Sequence, residues 1–186
     1  MEGVSLKALR DRPFELLREL EQRGRAVSAQ VGQEGASGRD WVGVALRMAG
    51  ELFLAAREET REVLSVPPAL TRVPGAQGWI RGLANVRGQL LPVIDLRQFI
   101  GSGTAPATRN TRVIVVNHRE IPAGLLVDEV LGFRRFAESE FTGDIPPTVA
   151  RCERYLAGAF RRGQEQWPVL SLRSILESPA FGEAAA

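Results

Sequence analysis

Residues that could carry chemistry are few in this chain and stand far apart. The only histidine, His118, lies in Asn117-His118-Arg119-Glu120 between two apolar runs. A general base has to reach a nucleophile through a hydrogen bond, whereas a polar tetrapeptide between apolar runs reads as a solvated hairpin turn. The only cysteine, Cys152, stands between Arg151 and Glu153. A nearby arginine can lower a thiol's pKa and make it reactive, but without a base or a second ligand Cys152 reads as a spectator. A single cysteine also rules out an intrachain disulfide and any zinc-ligand spacing. Asp95 closes the run Pro92-Val93-Ile94-Asp95, where an acid after an apolar strand is a feature of phosphate-binding folds. No Gly-x-x-x-x-Gly-Lys-Ser/Thr loop precedes it, and Lys7 is the only lysine, which excludes a P-loop. Asp128-Glu129 and the pair Glu138 and Glu140 have the composition of glycosidase carboxylates or of a divalent-cation site. Acids at strand ends read more simply as solvated. The residue inventory assigns no catalytic group, no metal and no cofactor, and points away from an enzyme.

The elements that would have to position these residues are mostly short. The 186 residues are 44% hydrophobic, enough for one sizeable domain or two small ones. Phe14, Leu16, Leu17 and Leu20 form one side of a predicted helix, with Asp11 ahead of it, Pro13 in its first turn and Gly24 past its end. Gln30 to Asp40 is polar and glycine-rich and reads as a linker, so residues 1–40 are expected to stand apart from a domain over 41–177, with 178–186 as a tail. No apolar run approaches the roughly 20 residues of a membrane-spanning helix, and the charged start lacks a signal-peptide core. A cytoplasmic protein is expected. The formal charge is +2, and the arginines are interspersed with acids rather than gathered into a stripe, which argues against nucleic acid as the main partner.

From Trp41 onward, short apolar runs alternate with turns: Trp41 to Met48, Leu52 to Ala56, Val63 to Val66, Leu90 to Ile94, Val113 to Val116, Ile121 to Val127, Gly132 to Phe136, Tyr155 to Phe160 and Pro168 to Leu172. Such spacing predicts small all-β barrels. The runs also repeat. Glu51-Leu52-Phe53 answers Glu120-Ile121-Pro122, and Glu62-Val63-Leu64 answers Glu129-Val130-Leu131. Arg87-Gly88-Gln89 leading to Pro92-Val93-Ile94-Asp95-Leu96-Arg97 answers Arg162-Gly163-Gln164 leading to Pro168-Val169-Leu170-Ser171-Leu172-Arg173. One order in both halves predicts two homologous subdomains, about 41–101 and 112–176. Two such barrels packed together would share a larger core and leave a groove at their junction.

The segment from Val73 to Leu96 is the most informative. Pro74 would start a short helical turn, buried by Trp79, Ile80 and Leu83 and ended by Gly82. Asn85 to Gly88 would then form a tight turn, with Gly88 free to take a positive φ. That turn would present Arg87 outward, as a solvated residue or as a forked donor for another protein.

Ile80-Arg81-Gly82-Leu83-Ala84-Asn85-Val86-Arg87-Gly88 running into Pro92-Val93-Ile94-Asp95-Leu96 resembles the signature of the CheW-like chemotaxis adaptors. The resemblance continues through Val113 to Val116, Gly124 to Val130 and Tyr155 to Gly158, covering about 41–177. It implies a mainly β fold of two five-stranded SH3-like barrels enclosing a groove. It also implies a non-enzymatic adaptor between methyl-accepting chemoreceptor tips and the regulatory domain of a CheA-type histidine kinase, recruited to receptor arrays at the inner membrane. Arg87 takes the receptor-facing position by the same resemblance, and Asn85 and Gly88 shape its turn. No motif marks the kinase-binding residues. The extension over 1–40 and Gly124-Leu125-Leu126-Val127-Asp128-Glu129-Val130-Leu131-Gly132 resemble the PilI-type branch, which serves type IV pilus signalling. The reading from another class is a small-barrel RNA-binding protein, which fits the arginine content but lacks stacking aromatics.

Overall fold

Alternating apolar residues after Asp40 build eleven strands, three short α-helices and three single-turn 3-10 helices in the computed structural model, which describes residues 40–182. The predicted helix and linker over residues 1–39 lie outside the described residues. The strands are β1 (Asp40–Met48), β2 (Glu51–Ala56), β3 (Thr60–Ser65), β4 (Ile80–Val86), β5 (Gln89–Asp95), β6 (Arg112–Val116), β7 (Gly124–Val127), β8 (Glu129–Ala137), β9 (Phe141–Thr142), β10 (Leu156–Arg162) and β11 (Glu165–Leu170). The helices are α1 (Leu96–Phe99), α2 (Leu172–Leu176) and α3 (Pro179–Gly182). Two expectations are corrected here. The segment after Pro74 holds a strand rather than a helical turn, because Gly82 sits inside β4 and does not end a helix. The predicted tail is also partly packed, since α3 buries Phe181 against Trp79 and Phe99.

The strands form two sheets. A central sheet has the order β3-β6-β7-β5-β4, and an outer sheet has the order β8-β1-β2-β11-β10-β9. Neither coincides with a half of the chain, which corrects the division into 41–101 and 112–176. The first half gives β1 and β2 to the outer sheet and β3, β4 and β5 to the central one, and the second half does the converse. Exchanging β1 and β2 for β6 and β7, and β3, β4 and β5 for β8, β10 and β11, converts one sheet order into the other. The repeat is therefore present, but its two copies have traded strands. Each sheet joins the halves through one antiparallel pair, β1 with β8 or β3 with β6, and one parallel pair, β2 with β11 (Leu54↔Val169, Ala55↔Leu170) or β5 with β7 (Val93↔Gly124, Ile94↔Leu125).

Pairing aligns the copies residue by residue where they matter most. Ile80 pairs with Ile94 and Gly82 with Val93 across a bulge, as Leu156 pairs with Leu170 and Gly158 with Val169 across the same bulge. Gly82 and Gly158 have φ of 141° and 144°. A Cβ at Gly82 would stand 2.6 Å from the Thr71 carbonyl oxygen, and one at Gly158 2.5 Å from that of Thr142. Thr71 bridges to Leu83 as Thr142 pairs with Ala159, so the sixth outer strand, β9, is the extended counterpart of a single bridge. Asp95 and Ser171 then cap α1 and α2, accepting from the backbone N–H of Gln98 and of Ser174.

Burial follows this plan. Ala45, Leu54, Phe136, Phe160 and Val169 fill the outer sheet, and Ala84, Val93, Ala105, Val113 and Leu126 fill the central one. A third and larger core lies between the sheets, where Leu46, Phe53 and Ala55 meet Ile94, Ile114 and Leu125 under α1 and α2. Each short sheet is thus buried on both faces, which compensates for its size. Gly82→Ala and Gly158→Ala are expected to cost about 2–3 kcal/mol each through strained φ and backbone collision. Gly50→Ala, at φ 85° with open space around its Cβ position, is expected to cost about 1 kcal/mol or less. Urea unfolding curves of the three variants check the ranking.

Candidate functional site

Arg87 and Gly88 are the two central residues of the β4–β5 hairpin, flanked by the pair Val86↔Gln89. Their φ values of 52° and 82° make the loop a type I′ turn, the geometry that matches the twist of paired strands. Glycine suits the second position. Arginine at the first bears some strain, and the Asn85 side chain offsets it by accepting from the Gly88 N–H at 2.9 Å. The three residues singled out in the sequence therefore act as one unit, in which Asn85 and Gly88 shape the loop and Arg87 is held out by it.

The guanidinium of Arg87 meets the Glu62 carboxylate of β3 at 2.7 Å while its side chain stays 79% exposed. That contact spans the two edge strands of the central sheet, since β3 and β4 stand at opposite ends of its order. Beside it lies a depression of about 70 Å³, walled by Val86, Leu91, Val115, Val116 and Pro122. The walls belong to the central sheet and its loops, so the recess next to Arg87 is not at the junction of the two sheets, where the groove was expected. Leu90, 66% exposed, stands next to the turn although the sequence suggested a buried strand from Leu90 to Ile94. β5 runs past the end of the core at this point. Glu62 and Leu90 are the neighbours that sequence reading did not attach to Arg87, and only pairing across the sheet brings Glu62 to it.

The strand register pairs Arg162 with Glu165 as it pairs Val86 with Gln89, so Gly163 and Gln164 take the places of Arg87 and Gly88 and the sequence match of Arg87-Gly88-Gln89 to Arg162-Gly163-Gln164 is corrected by one residue. Arg162 nevertheless clasps the outer sheet from the corresponding hairpin and offers a comparison. Its Nε and Nη2 donate to Glu140 at 2.8 and 2.9 Å, Nη2 also donates to the Arg135 carbonyl of β8 at 2.8 Å, and its plane covers the Phe136 ring at 4.3 Å. Hydrogen bonds from Arg162 and from the Ala137 N–H hold the Glu140 carboxyl down to about 2. Arg162, half exposed, is engaged by its own fold through three hydrogen bonds, whereas among the described residues Arg87 makes one ion pair and leaves most of its five N–H donors without a partner.

The other candidates prove structural. His118 is not the solvated residue expected: its side chain is 14% exposed, and Nδ1 accepts from the N–H groups of Glu120 and Ile121 at 3.3 and 3.1 Å. This leaves the proton on Nε2, which faces Glu177 at 3.4 Å. Cys152 is fully buried, and burial pushes its thiol pKa up, away from reactivity. Asp95, fully buried, accepts from the Ala105 N–H at 3.0 Å and faces Arg81 at 3.7 Å. Asp128, Glu129 and Glu140, expected to be solvated, are instead paired with Arg97, Arg47 and Arg162. Among the described residues, no group of three or more His, Cys, Asp or Glu side chains could hold a metal ion.

The two clasps should separate on mutation. Arg162→Gln is expected to cost about 1–2 kcal/mol, because it strips a bidentate pair and a carbonyl. Arg87→Gln should stay within about 0.5 kcal/mol, as exposed pairs do. A carboxyl held low in the folded state adds stability that is complete above its unfolded value near 4.5 and lost as pH falls through about 2. Glu140→Gln should therefore flatten the acid limb of the stability profile below pH 4.5, as read by denaturant unfolding across pH.

Comparison with known proteins places this geometry. A family model described as the CheW-like domain matches residues 43–180. Protein PilI of Pseudomonas aeruginosa is 37% identical over 173 residues, covering 93% of this chain and 96% of PilI. Protein FrzA of Myxococcus xanthus is 33% identical over 135 residues, covering 69% of this chain and 81% of FrzA. The crystal structure of the scaffolding protein TtCheW from Thermoanaerobacter tengcongensis superposes with a TM-score of 0.66 at 25% identity, covering 76% of this chain and 96% of TtCheW. With the signature turn, the strand plan and these relatives in agreement, the chain belongs to the CheW-like domain family, a family of scaffold adaptors rather than enzymes.

Proposed function

We propose that this protein couples methyl-accepting chemoreceptors to a CheA-type histidine kinase, with type IV pilus motility as the output. The carrying observation is Arg87, a guanidinium held out on a rigid I′ turn beside exposed Leu90, with a single ion-pair partner among the described residues. A forked donor next to an apolar side chain suits a helix bundle that offers a carboxylate or free carbonyls beside an apolar stripe. Binding there would exchange the Glu62 contact for contacts with the receptor, so little is lost on association. The likeness to PilI over nearly the whole chain supports the pilus branch. No helix among the described residues is long and apolar enough to cross a membrane, in keeping with recruitment to inner-membrane arrays from the cytoplasm. Signalling in this reading is geometric. Receptor state changes how well the assembly holds the kinase's active arrangement, which requires differential affinity and no chemistry on the adaptor.

The RNA-binding reading has less support, because Arg47, Arg97, Arg161 and Arg162 are each paired with a carboxylate of the fold. The test is a pull-down with analytical ultracentrifugation against the kinase regulatory domain and, separately, a receptor signalling fragment from the same organism. A one-to-one complex with each is expected. Arg87→Glu should weaken the receptor complex at least about tenfold, roughly 1.4 kcal/mol, and leave the kinase complex intact. Unchanged receptor binding by this variant would overturn the assignment of Arg87.

A further inference from the structure

The strand-traded repeat also compares the mouths of the two sheets, and they are finished differently. In the central sheet the connector after α1 folds back over the opening. Ala105 is 5% exposed within the cluster of Ala84, Val93 and Leu126, and its N–H donates to both oxygens of Asp95 at 3.1 and 3.0 Å. Pairing gives each of these positions a counterpart in the outer sheet. Val93 corresponds to Val169 and Asp95 to Ser171, Ala84 to Phe160, and Leu126 to Ala56. All four counterparts line one open recess of about 480 Å³, floored by Trp41 and edged by Phe141 and Ala157.

Nothing in the described chain plays the part of Ala105 there. The segment after α2, which follows the same course as the connector at first, leaves instead to seat Phe181 on Trp79 and Phe99. The recess is apolar, and its rim carries Glu59 and Glu138. The Glu59 carboxylate is occupied by the Leu172 N–H at 2.7 Å and the Ser171 hydroxyl at 3.2 Å, whereas Glu138 is exposed and makes no ion pair among the described residues. An occupant therefore meets an apolar floor, a hydroxyl where the central sheet has a carboxylate, and the exposed Glu138 carboxylate at the edge.

We infer that the outer sheet's mouth is a docking site for an extended segment of a partner protein, which inserts a small apolar side chain as Ala105 does and sets a basic residue against Glu138. The central sheet supplies the pattern for the backbone and the small side chain, and Glu138 supplies the preference for a cation. The site is separate from the Arg87 turn and stands whether or not Arg87 meets a receptor.

The probe is a synthetic peptide with the sequence of Ser102-Gly103-Thr104-Ala105-Pro106-Ala107 followed by lysine, titrated into the full ¹⁵N-labelled chain. Saturable shifts are expected at the Trp41 indole and at the amides of Ala56, Ala157 and Ser171, with a Kd of about 1 mM for so short a ligand. Ala157→Trp, at an exposed position lining the recess, should abolish them in a chain whose spectrum remains dispersed. Glu138→Lys should weaken binding several-fold while leaving the peptide without lysine unaffected. Absence of these shifts at millimolar peptide in a folded chain would overturn the proposal. So would nuclear Overhauser contacts, in the unliganded chain, between the Trp41 ring and residues outside 40–182, since the chain would then fill its own recess.

Discussion

Four strand pairs join the halves of this chain, antiparallel β1 with β8 and β3 with β6 and parallel β2 with β11 and β5 with β7, and without them neither sheet exists. A hairpin such as β1–β2 is marginal by itself, and so is a three-stranded set such as β3, β4 and β5 with unpaired neighbours. Each becomes stable only by entering the sheet of the opposite half. The core between the sheets reinforces the constraint, because it is built from Phe53 and Leu46 on one side and from Ile94 and Leu125 on the other. Folding must therefore close long loops before contacts of high sequence separation stabilise anything, a topology that folds slowly but as one cooperative unit. Glu59 ties the same knot from the side, since it belongs to the first half and caps the N-terminus of α2 in the second.

Exchange of strands also explains why the edges of the sheets are guarded by arginines. A short sheet that curls on itself leaves two edges close together without a backbone ladder between them, and unpaired edges invite association. In each sheet the hairpin of the repeat's last two strands places an arginine across that gap, Arg87 to Glu62 of β3 in one and Arg162 to the Arg135 carbonyl of β8 in the other. The two arginines stand one register position apart and do not carry the same load. With a carboxylate, a carbonyl and an aromatic face, Arg162 is fixed by the fold. Arg87, with one carboxylate among the described residues, stays largely exposed.

Much of this was legible in the sequence, and the failures have physical causes. The β class, most strands and the repeat follow from period-2 patterning and from recurrence of Pro-Val-aliphatic-x-Leu-Arg. The I′ turn follows from Asn85-Val86-Arg87-Gly88, whose side chains and φ demands are local. The division into subdomains failed because a repeat in sequence says nothing about which copy a strand pairs with; a parallel pair needs partners distant in the chain, and local pattern is blind to them. β4 was missed because Gly82 looks like a helix terminator, although Ile80-Arg81-Gly82 matches Leu156-Ala157-Gly158 and could have been read as a second bulge. His118 and the acids were read as solvated because their partners, Glu177, Arg97, Arg47 and Arg162, are remote in sequence or fixed by strand register.

The duplicated plan gives the site its meaning. A surface residue in a unique fold has no internal standard against which its exposure can be judged, and a solvated arginine is by default unremarkable. Here the standard exists within the chain. Arg162 shows an arginine beside the matching hairpin engaged by the fold, and Ala105 shows what a sheet mouth looks like when the chain finishes it. Arg87 and the recess at Trp41 depart from those standards in the same direction, leaving exposed the donors or apolar surface that the matching hairpin and mouth engage internally. They lie on different sheets, and the sheets are joined through one core, so a partner held at either surface loads the same rigid body. An adaptor that works by geometry needs that arrangement: separate surfaces left incomplete, on a frame whose two halves cannot come apart.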